Sequence, residues 1–252
     1  MRVSAVIVSH GHRDEVAALV PALLPQVDEL VVIANLPGSV PVGLPHGVRV
    51  IENGQALPLA ANVNLGTAAT SGELVLNATP DTLPEPGAVA ALRALLEREP
   101  RAGIAGPRLV WPDGTLQPSR RRFPTVSGTL VRRTPLRHVR GVYTQREHYG
   151  LEETPTEPVP CDWMLGAFLL QRRSMLDELG GWDAGYRHYI EDIDLQYRAM
   201  RAGWERWYVP EAVVVHAYAA VIDKRWLSRH TLWHARGMAR FVRRHPEALR
   251  AL

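Results

Sequence analysis

Residues 3–34 read VSAVIVSHGHRDEVAALVPALLPQVDELVVIA, and this stretch decides the fold. Val3 to Ser9 is a short β-branched run closed by polar residues, the pattern of a buried strand. Asp14 to Leu24 sets Val16, Leu19, Val20 and Leu23 at helix-face spacing, with Pro25 as the stop. Glu29 to Ala34 (ELVVIA) is a second apolar strand. Strand, helix and strand in so short a span describe a βαβ unit, whose two strands run parallel.

The alternation continues outward. Val48 to Glu52 reads as a third strand, Leu59 to Thr70 as a helix closed by Ser71-Gly72, and Glu73 to Asn77 as a fourth strand before a polar loop, Ala78 to Thr82. Pro86 to Glu99 is a third helix and Ala102 to Gly106 a further strand. The expected fold is α/β, a Rossmann-like, mostly parallel sheet flanked by helices. Such sheets bind ligands beyond the carboxyl ends of their strands, here near Ser9, Ala34, Glu52 and Asn77. Residues 111–160 are rich in Pro and Arg and predict loops and short hairpins. Regular structure resumes over Cys161 to Gln171, with helices at Arg173 to Gly180 and Ile193 to Ala202, and strands at Trp207 to Val209 and Ala212 to His216. From Arg225 the chain reads as a C-terminal helical segment.

Composition narrows the function. The 252 residues, 46% hydrophobic and 22% charged, suit a globular α/β domain rather than a disordered chain. Cys161 is the single cysteine, which excludes an internal disulfide and any multi-cysteine metal site and suits a cytoplasmic location. No secretory leader and no apolar run of ~18 residues is expected to place the chain in a membrane, although a peripheral position at the inner face stays open. Net charge is +3, yet the interval between Asp113 and Glu147 holds eight arginines (Arg120, Arg121, Arg122, Arg132, Arg133, Arg137, Arg140 and Arg146) and no acid. Those arginines mark either a solvated basic loop or an anion-binding surface. Nucleic acid is not the expected partner, because the interval lacks interleaved aromatics and any reader motif.

Two acidic clusters carry candidate chemistry. Tyr189-Ile190-Glu191-Asp192-Ile193-Asp194-Leu195 opens a helix with three crowded carboxylates, so at least one should be hard to ionise. The same acids would also serve as plain helix-capping groups. Thr79-Pro80-Asp81-Thr82 follows the fourth strand, where an acid can hold a hard divalent cation, or merely form a turn. His216 ends the last strand and could reach the same place, although a lone histidine is often just hydrogen-bonded.

In order along the chain, these segments resemble family 2 glycosyltransferases. VSAVIVSHGHRDE is similar to the family's opening strand and turn, and LVLNATPDTLPEPGAVAAL to its LLLNPDT segment. AGIAGPRLVWPDGTLQPSRRRFPT and WMLGAFLLQRRSMLDELGGWDAGYRHYIEDIDLQYRAMRAGW resemble the rhamnosyltransferase-like branch, and YVPEAVVVHAY its closing strand and histidine. The resemblance implies a GT-A fold and an inverting transfer from a nucleoside-diphosphate sugar, dTDP-L-rhamnose by branch, to a cell-surface glycan or lipid-linked acceptor. It makes Asp192 the general base with Glu191 beside it. It assigns Asp81 and His216 to a divalent metal, Mg2+ or Mn2+. Donor contacts are implied for Ser9, Asn35, Asn64, Thr79, Asp81, Gly166 and Ala167, and acceptor contacts for Asp162 and Trp163. It divides one domain, residues 1–252, into a nucleotide-sugar half (1–110), an acceptor and catalytic half (111–216) and the C-terminal helical segment (217–252).

Two positions depart from the family pattern. Its second strand usually ends in Asp-Asn, where this chain has Ala34-Asn35, and the first acid of its DxD-like motif is Thr79 here. A catalytically silent nucleotide- or glycan-binding protein is therefore the competing reading, opposed by intact Asp81 and Asp192. Arg120, Arg121 and Arg122 are expected to hold an anionic acceptor such as a lipid-linked diphosphate. Trp226, Arg229, Trp233, Arg236, Arg240, Arg243 and Arg244 either face a membrane surface or pack on the domain. A second copy of the chain is a further candidate partner.

Overall fold

In the computed structural model, which describes residues 1–123, 154–217 and 229–249, the opening apolar run is strand β1 (Val3–Ser9), buried along its whole length. Helices cover it on both faces. Val3, Ala5 and Ile7 pack with α1 (Arg13–Leu23) and α3 (Ala88–Arg98). Val6 and Val8 pack with α2 (Leu59–Ala68), α4 (Arg173–Leu179) and α5 (Glu191–Arg201). The two-residue period of the strand thus feeds two cores, which explains its run of apolar residues from Ala5 to Val8. Each Val or Ile among them contributes roughly 1.5–3 kcal/mol when fully buried.

The remaining strands are β2 (Glu29–Ala34), β3 (Val48–Glu52), β4 (Leu74–Ala78), β5 (Thr82–Pro84), β6 (Ala102–Val110), β7 (Arg120–Arg121), β8 (Val159–Pro160), β9 (Trp163–Met164), β10 (Phe168–Arg172) and β11 (Glu205–His216). Among the described residues the main sheet has nine strands, ordered β3-β2-β1-β4-β10-β6-β11-β5, with β8 also paired to β11. It is mostly parallel, as expected, but β10 runs antiparallel between β4 and β6. Strand β5 is antiparallel to β11 and begins at Thr82, the last residue of the expected loop Ala78 to Thr82. The two late strands are one strand, β11, with a register shift between Val209 and Val213, around Pro210. A proline cannot donate to the ladder, so the pairing bulges instead of ending. Helix α5 starts at Glu191, two residues before the expected Ile193, which brings both Glu191 and Asp192 into its first turn.

The C-terminal helix α6 (Arg229–Arg244) packs back on the domain. Phe241 and Ala248 join Trp163, Tyr186, Ile190, Ile193 and Tyr197 in a third core, separate from the two that cover the sheet. Arg240 and Arg244 both pair with Asp183, and the Arg187 guanidinium lies 4.8 Å from the Trp233 ring centroid. These three residues of the expected basic, aromatic surface are thereby engaged with the domain. Leu232, Arg236 and Arg243 remain exposed, while Trp226 and the arginines between 132 and 146 lie outside the described residues. No helix among the described residues is long and apolar enough to cross a membrane.

Candidate active site

The carboxyl end of β4 and the loop after it meet the turn before β10, the end of β11 and, through Gly166, the first turn of α5. Asp192 sits at the centre of this meeting. Its Oδ2 accepts from the Gly166 amide at 3.0 Å and its Oδ1 from the Ile193 amide at 2.9 Å. Residue 166 has to be glycine here, because a Cβ would lie 2.8 Å from the Asp192 Cβ. Gln196, one turn on, locks α5 to β9: its Nε2 donates to the Met164 carbonyl at 2.7 Å and its Oε1 accepts from the Met164 amide at 2.8 Å.

Burial raises the Asp192 pKa, against the pull of its two amide donors and the positive charge of Arg121. Glu191 is pushed up to about 8 by burial and by the Asp192 carboxylate, and its Oε2 is buried without a partner. Asp192 has the Gly166 amide and the Arg121 charge beside it, while Glu191 is raised further by the Asp192 carboxylate itself, so Asp192 is the more acidic of the two. Two neighbouring acids are thus set apart in acidity, the arrangement a base at neutral pH requires. The helix N-terminus adds to the stability of the Asp192 anion.

The backbone before this pair is strained. Tyr189 has φ 71° and Ile190 φ 73°, the only non-glycine residues with positive φ among those described. A left-handed conformation costs an L-residue roughly 1–2 kcal/mol, and a β-branched one is a genuine outlier there.

Asp81 and His216 form the second focus. Strand pairing sets His216 opposite Thr82, and the Ala217 amide donates to the Asp81 carbonyl at 2.9 Å. His216 Nε2 then lies 3.4 Å from Asp81 Oδ2. Burial alone would raise the Asp81 pKa, but hydrogen bonding and charge from His216, with Thr79 beside them, outweigh it and hold the carboxyl below its usual range. Gln117 Oε1 lies 2.7 Å from His216 Nδ1 and is an acceptor, so Nδ1 donates and Nε2 faces Asp81. Thr79 Oγ1 and Gln117 Nε2 are buried with no hydrogen bond of their own. With Glu191 Oε2, they make three of the four such side-chain atoms among the described residues. Thr79 Oγ1 beside Asp81 and Gln117 Nε2 beside His216 leave polar capacity at this place that a ligand could meet. A carboxylate, an imidazole and a hydroxyl suit a divalent cation, although no group of three His, Cys, Asp or Glu side chains gathers among the described residues. Ligand oxygens or water would have to complete the shell.

The other expected donor contacts divide. Gly166 and Ala167 stand beside the Asp81 loop: the Gly166 carbonyl accepts from Asn77 Nδ2 at 2.8 Å and the Ala167 carbonyl from the Thr79 amide at 2.7 Å. Ser9 instead donates its hydroxyl to the Ser39 carbonyl at 2.6 Å. Asn64 pairs with the backbone N–H and C=O of Trp182. Asn35 makes four hydrogen bonds, to His10, Asn53 and both backbone groups of Leu57, and Asn53 goes on to Asn62. These three side chains tie strand ends and helices together, which is framework work. Asn53, Asn62, Gln117 and Gln196 were not expected at the site. Gln117 and Gln196 had a sequence signal, as parts of the GTLQ and EDIDLQ runs.

The acceptor-side candidates lie on the small β7–β9 sheet, where Arg120 pairs with Met164 and Arg121 with Trp163. Trp163 Nε1 donates to the Arg122 carbonyl at 2.7 Å, and Asp162 Oδ2 accepts from the Phe123 amide at 2.9 Å. Strand alternation parts the arginines. Arg121 acts on Asp192 and covers the Trp163 ring at 5.2 Å, whereas Arg120 acts on Cys161 and Tyr208, and Arg122 is exposed.

A family model described as glycosyltransferase like family 2 matches residues 1–235. The chain belongs to glycosyltransferase-like family 2. This glycosyltransferase-like chain is 36% identical over 190 residues to the N-acetylglucosaminyl-diphospho-decaprenol L-rhamnosyltransferase of Mycobacterium tuberculosis, a match covering 67% of the chain and 60% of that relative's length. Over 83 residues it is 37% identical to the rhamnosyltransferase WbbL of Escherichia coli, covering 33% of the chain and 31% of WbbL. Among solved structures, GalNAc-T7 with UDP, GalNAc and Mn2+ superposes with a TM-score of 0.64 at 19% identity, covering 86% of this chain and 44% of that one. The mannosyltransferase PcManGT of Pyrobaculum calidifontis with GDP-Man and Mn2+ gives 0.57 at 16% identity, covering 87% and 57%. The fold is therefore the GT-A fold of glycosyltransferases.

Proposed function

We propose that this family 2 chain transfers L-rhamnose from dTDP-L-rhamnose, with inversion, to a hydroxyl of a lipid-linked glycan diphosphate. The observation that carries the proposal is Asp192: a buried carboxylate held by two backbone amides, beside Glu191 whose pKa is pushed up to about 8, at the strand ends where a nucleotide sugar would bind. Asp192 takes the proton of the acceptor hydroxyl as that oxygen bonds to the anomeric carbon. The bond from this carbon to the diphosphate oxygen breaks, and the nucleoside diphosphate leaves. Glu191, uncharged, keeps a second anion away from the departing diphosphate. The named relatives support rhamnose as the sugar, and the Mycobacterium tuberculosis protein supports a diphospho-prenol acceptor.

Asp81 and His216 would hold a divalent cation, with Thr79 facing it in place of an acid, and Gln117 fixing the His216 tautomer. A cation held there would supply positive charge to the leaving diphosphate. Arg121, over Trp163 and close to Asp192, is the arginine placed to meet an anionic acceptor. We place the enzyme on the cytoplasmic membrane face, with Leu232, Arg236 and Arg243 of α6 toward the lipid. The test is a donor screen scored by release of nucleoside diphosphate, with a GlcNAc-diphospho-prenol acceptor and with Mg2+ or Mn2+. Release above hydrolysis only with dTDP-L-rhamnose and acceptor together is expected. Donor binding without release under any condition would favour the silent reading that Ala34 and Thr79 invite.

A further inference from the structure

The strained pair Tyr189–Ile190 has no glycine or asparagine to ease it, so something must hold it. Helix α6 and His245, the residue after it, do so from three sides. Gly237 rides over the pair so closely that a Cβ would meet Ile190 Cγ1 at 3.0 Å and the Tyr189 carbonyl oxygen at 3.2 Å. Ahead of the pair, Arg240 grips both oxygens of Asp183 at 2.9–3.1 Å, and Arg244 adds a contact at 2.6 Å. Behind it, His245 Nε2 lies 2.9 Å from Oδ1 of the fully buried Asp194, which also accepts from Tyr186 Oη at 3.0 Å and from Arg198 Nε at 2.7 Å. Phe241 fills the space between, against Tyr186, Ile190 and Ile193. The anchors at Asp183 and Asp194 bracket Glu191 and Asp192 in sequence. Strain of this kind persists only where the surroundings over-determine it.

We propose that α6 is a brace that forces Tyr189–Ile190 into the left-handed conformation and thereby aims Asp192 at the Gly166 amide, with Gly237, Arg240 and His245 as positioning residues for turnover. This rests on Asp192 being the base. Without the brace the segment relaxes toward ordinary φ, the first turn of α5 rotates, and the carboxylate leaves its place. The described contacts of Gly237, Arg240 and His245 go to Ile190, Asp183 and Asp194 rather than to Asp81, so donor binding should be spared.

The test compares Arg240→Met in the parent and in an Ile190→Gly background, because glycine adopts positive φ without being held. In the parent, Arg240→Met is expected to lower kcat by at least about tenfold, as small misplacements of a reacting group do. Calorimetric donor Kd should change by less than about twofold, and Gly237→Ala should act in the same direction. In the Ile190→Gly background the same Arg240→Met change should lower kcat by less than about threefold. Amide exchange at Gly166 and Ile193, the two donors to Asp192, reads the geometry without any activity. It should quicken in Arg240→Met and recover in the double variant. Equal losses in both backgrounds, or undisturbed exchange in Arg240→Met, would overturn the brace. Should Ile190→Gly not fold, Ile190→Asn, which also tolerates positive φ, takes its place. If no donor supports transfer while exchange behaves as expected, the functional reading fails and the brace stands.

Discussion

Replacing Glu191 by Gln keeps the side chain's shape and removes its titration. Burial and the Asp192 carboxylate push Glu191 up to about 8 from an ordinary 4.5. Below pH 4.5 the group is protonated in the folded and unfolded chain alike, and stability is unaffected. Between 4.5 and about 8 the unfolded chain gives up the proton while the folded chain keeps it, so stability falls as pH rises. One proton sets the slope at no more than ~1.4 kcal/mol per pH unit. Over the whole window the loss is on the order of 5 kcal/mol, an upper figure because Asp192 shares the titration. The Gln variant should therefore match the parent near pH 4.5 and exceed it by several kcal/mol near pH 8. Urea unfolding at intervals between these limits measures the difference directly. Parallel pH dependence in the two proteins would refute the reasoning and return Glu191 to an ordinary, hydrated carboxylate.

Asp81→Ala should abolish the Mn2+ enhancement of nucleoside-diphosphate binding, since His216 alone cannot keep the ion; calorimetry showing unchanged Mn2+–nucleotide binding would remove Asp81 from the site. Arg121→Ala should raise the acceptor KM by about tenfold, the loss of one charge-assisted pair, while Arg122→Ala, exposed, should change it little. Equal effects would mean that strand alternation does not sort these arginines. Flotation with vesicles tests the membrane face: binding to anionic but not neutral lipid, weakened by salt and by Arg236→Glu with Arg243→Glu, is expected. No flotation of the parent at low salt would refute it.

The parallel half of the fold is legible because β1, β2 and β4 are buried on both faces and their sequences are mostly apolar, with Ser4 and Asn77 the polar residues inside them. Strand β5 is not, since three residues reveal nothing until β11 arrives to pair with them. The apolar run at Phe168–Arg172 announces a strand, but its antiparallel seat between β4 and β6 depends on neighbours far away in sequence. At the site, crowding alone flags Glu191 and Asp192, whereas what sets their acidities apart includes the Gly166 amide, supplied from the turn between β9 and β10. Ser9, Asn35 and Asn64 look alike in sequence whether a polar group at a strand end or helix faces a ligand or knits the frame. The structure uses all three in the frame. Tyr189 and Ile190 mislead most, because nothing in their side chains favours positive φ, and only the contacts with α6 account for it.

The central claim is that Asp192 deprotonates the acceptor. Turnover of Asp192→Asn, measured as coupled release of nucleoside diphosphate and glycosylated acceptor, tests it most directly, with donor Kd determined on the same preparation. Asparagine retains the size of the side chain and cannot take the proton, so turnover should fall by about 10²–10⁴-fold. Donor Kd should stay within about twofold, because the lost interaction belongs to the transition state. Turnover near that of the parent would contradict the account, and the base would have to be sought elsewhere.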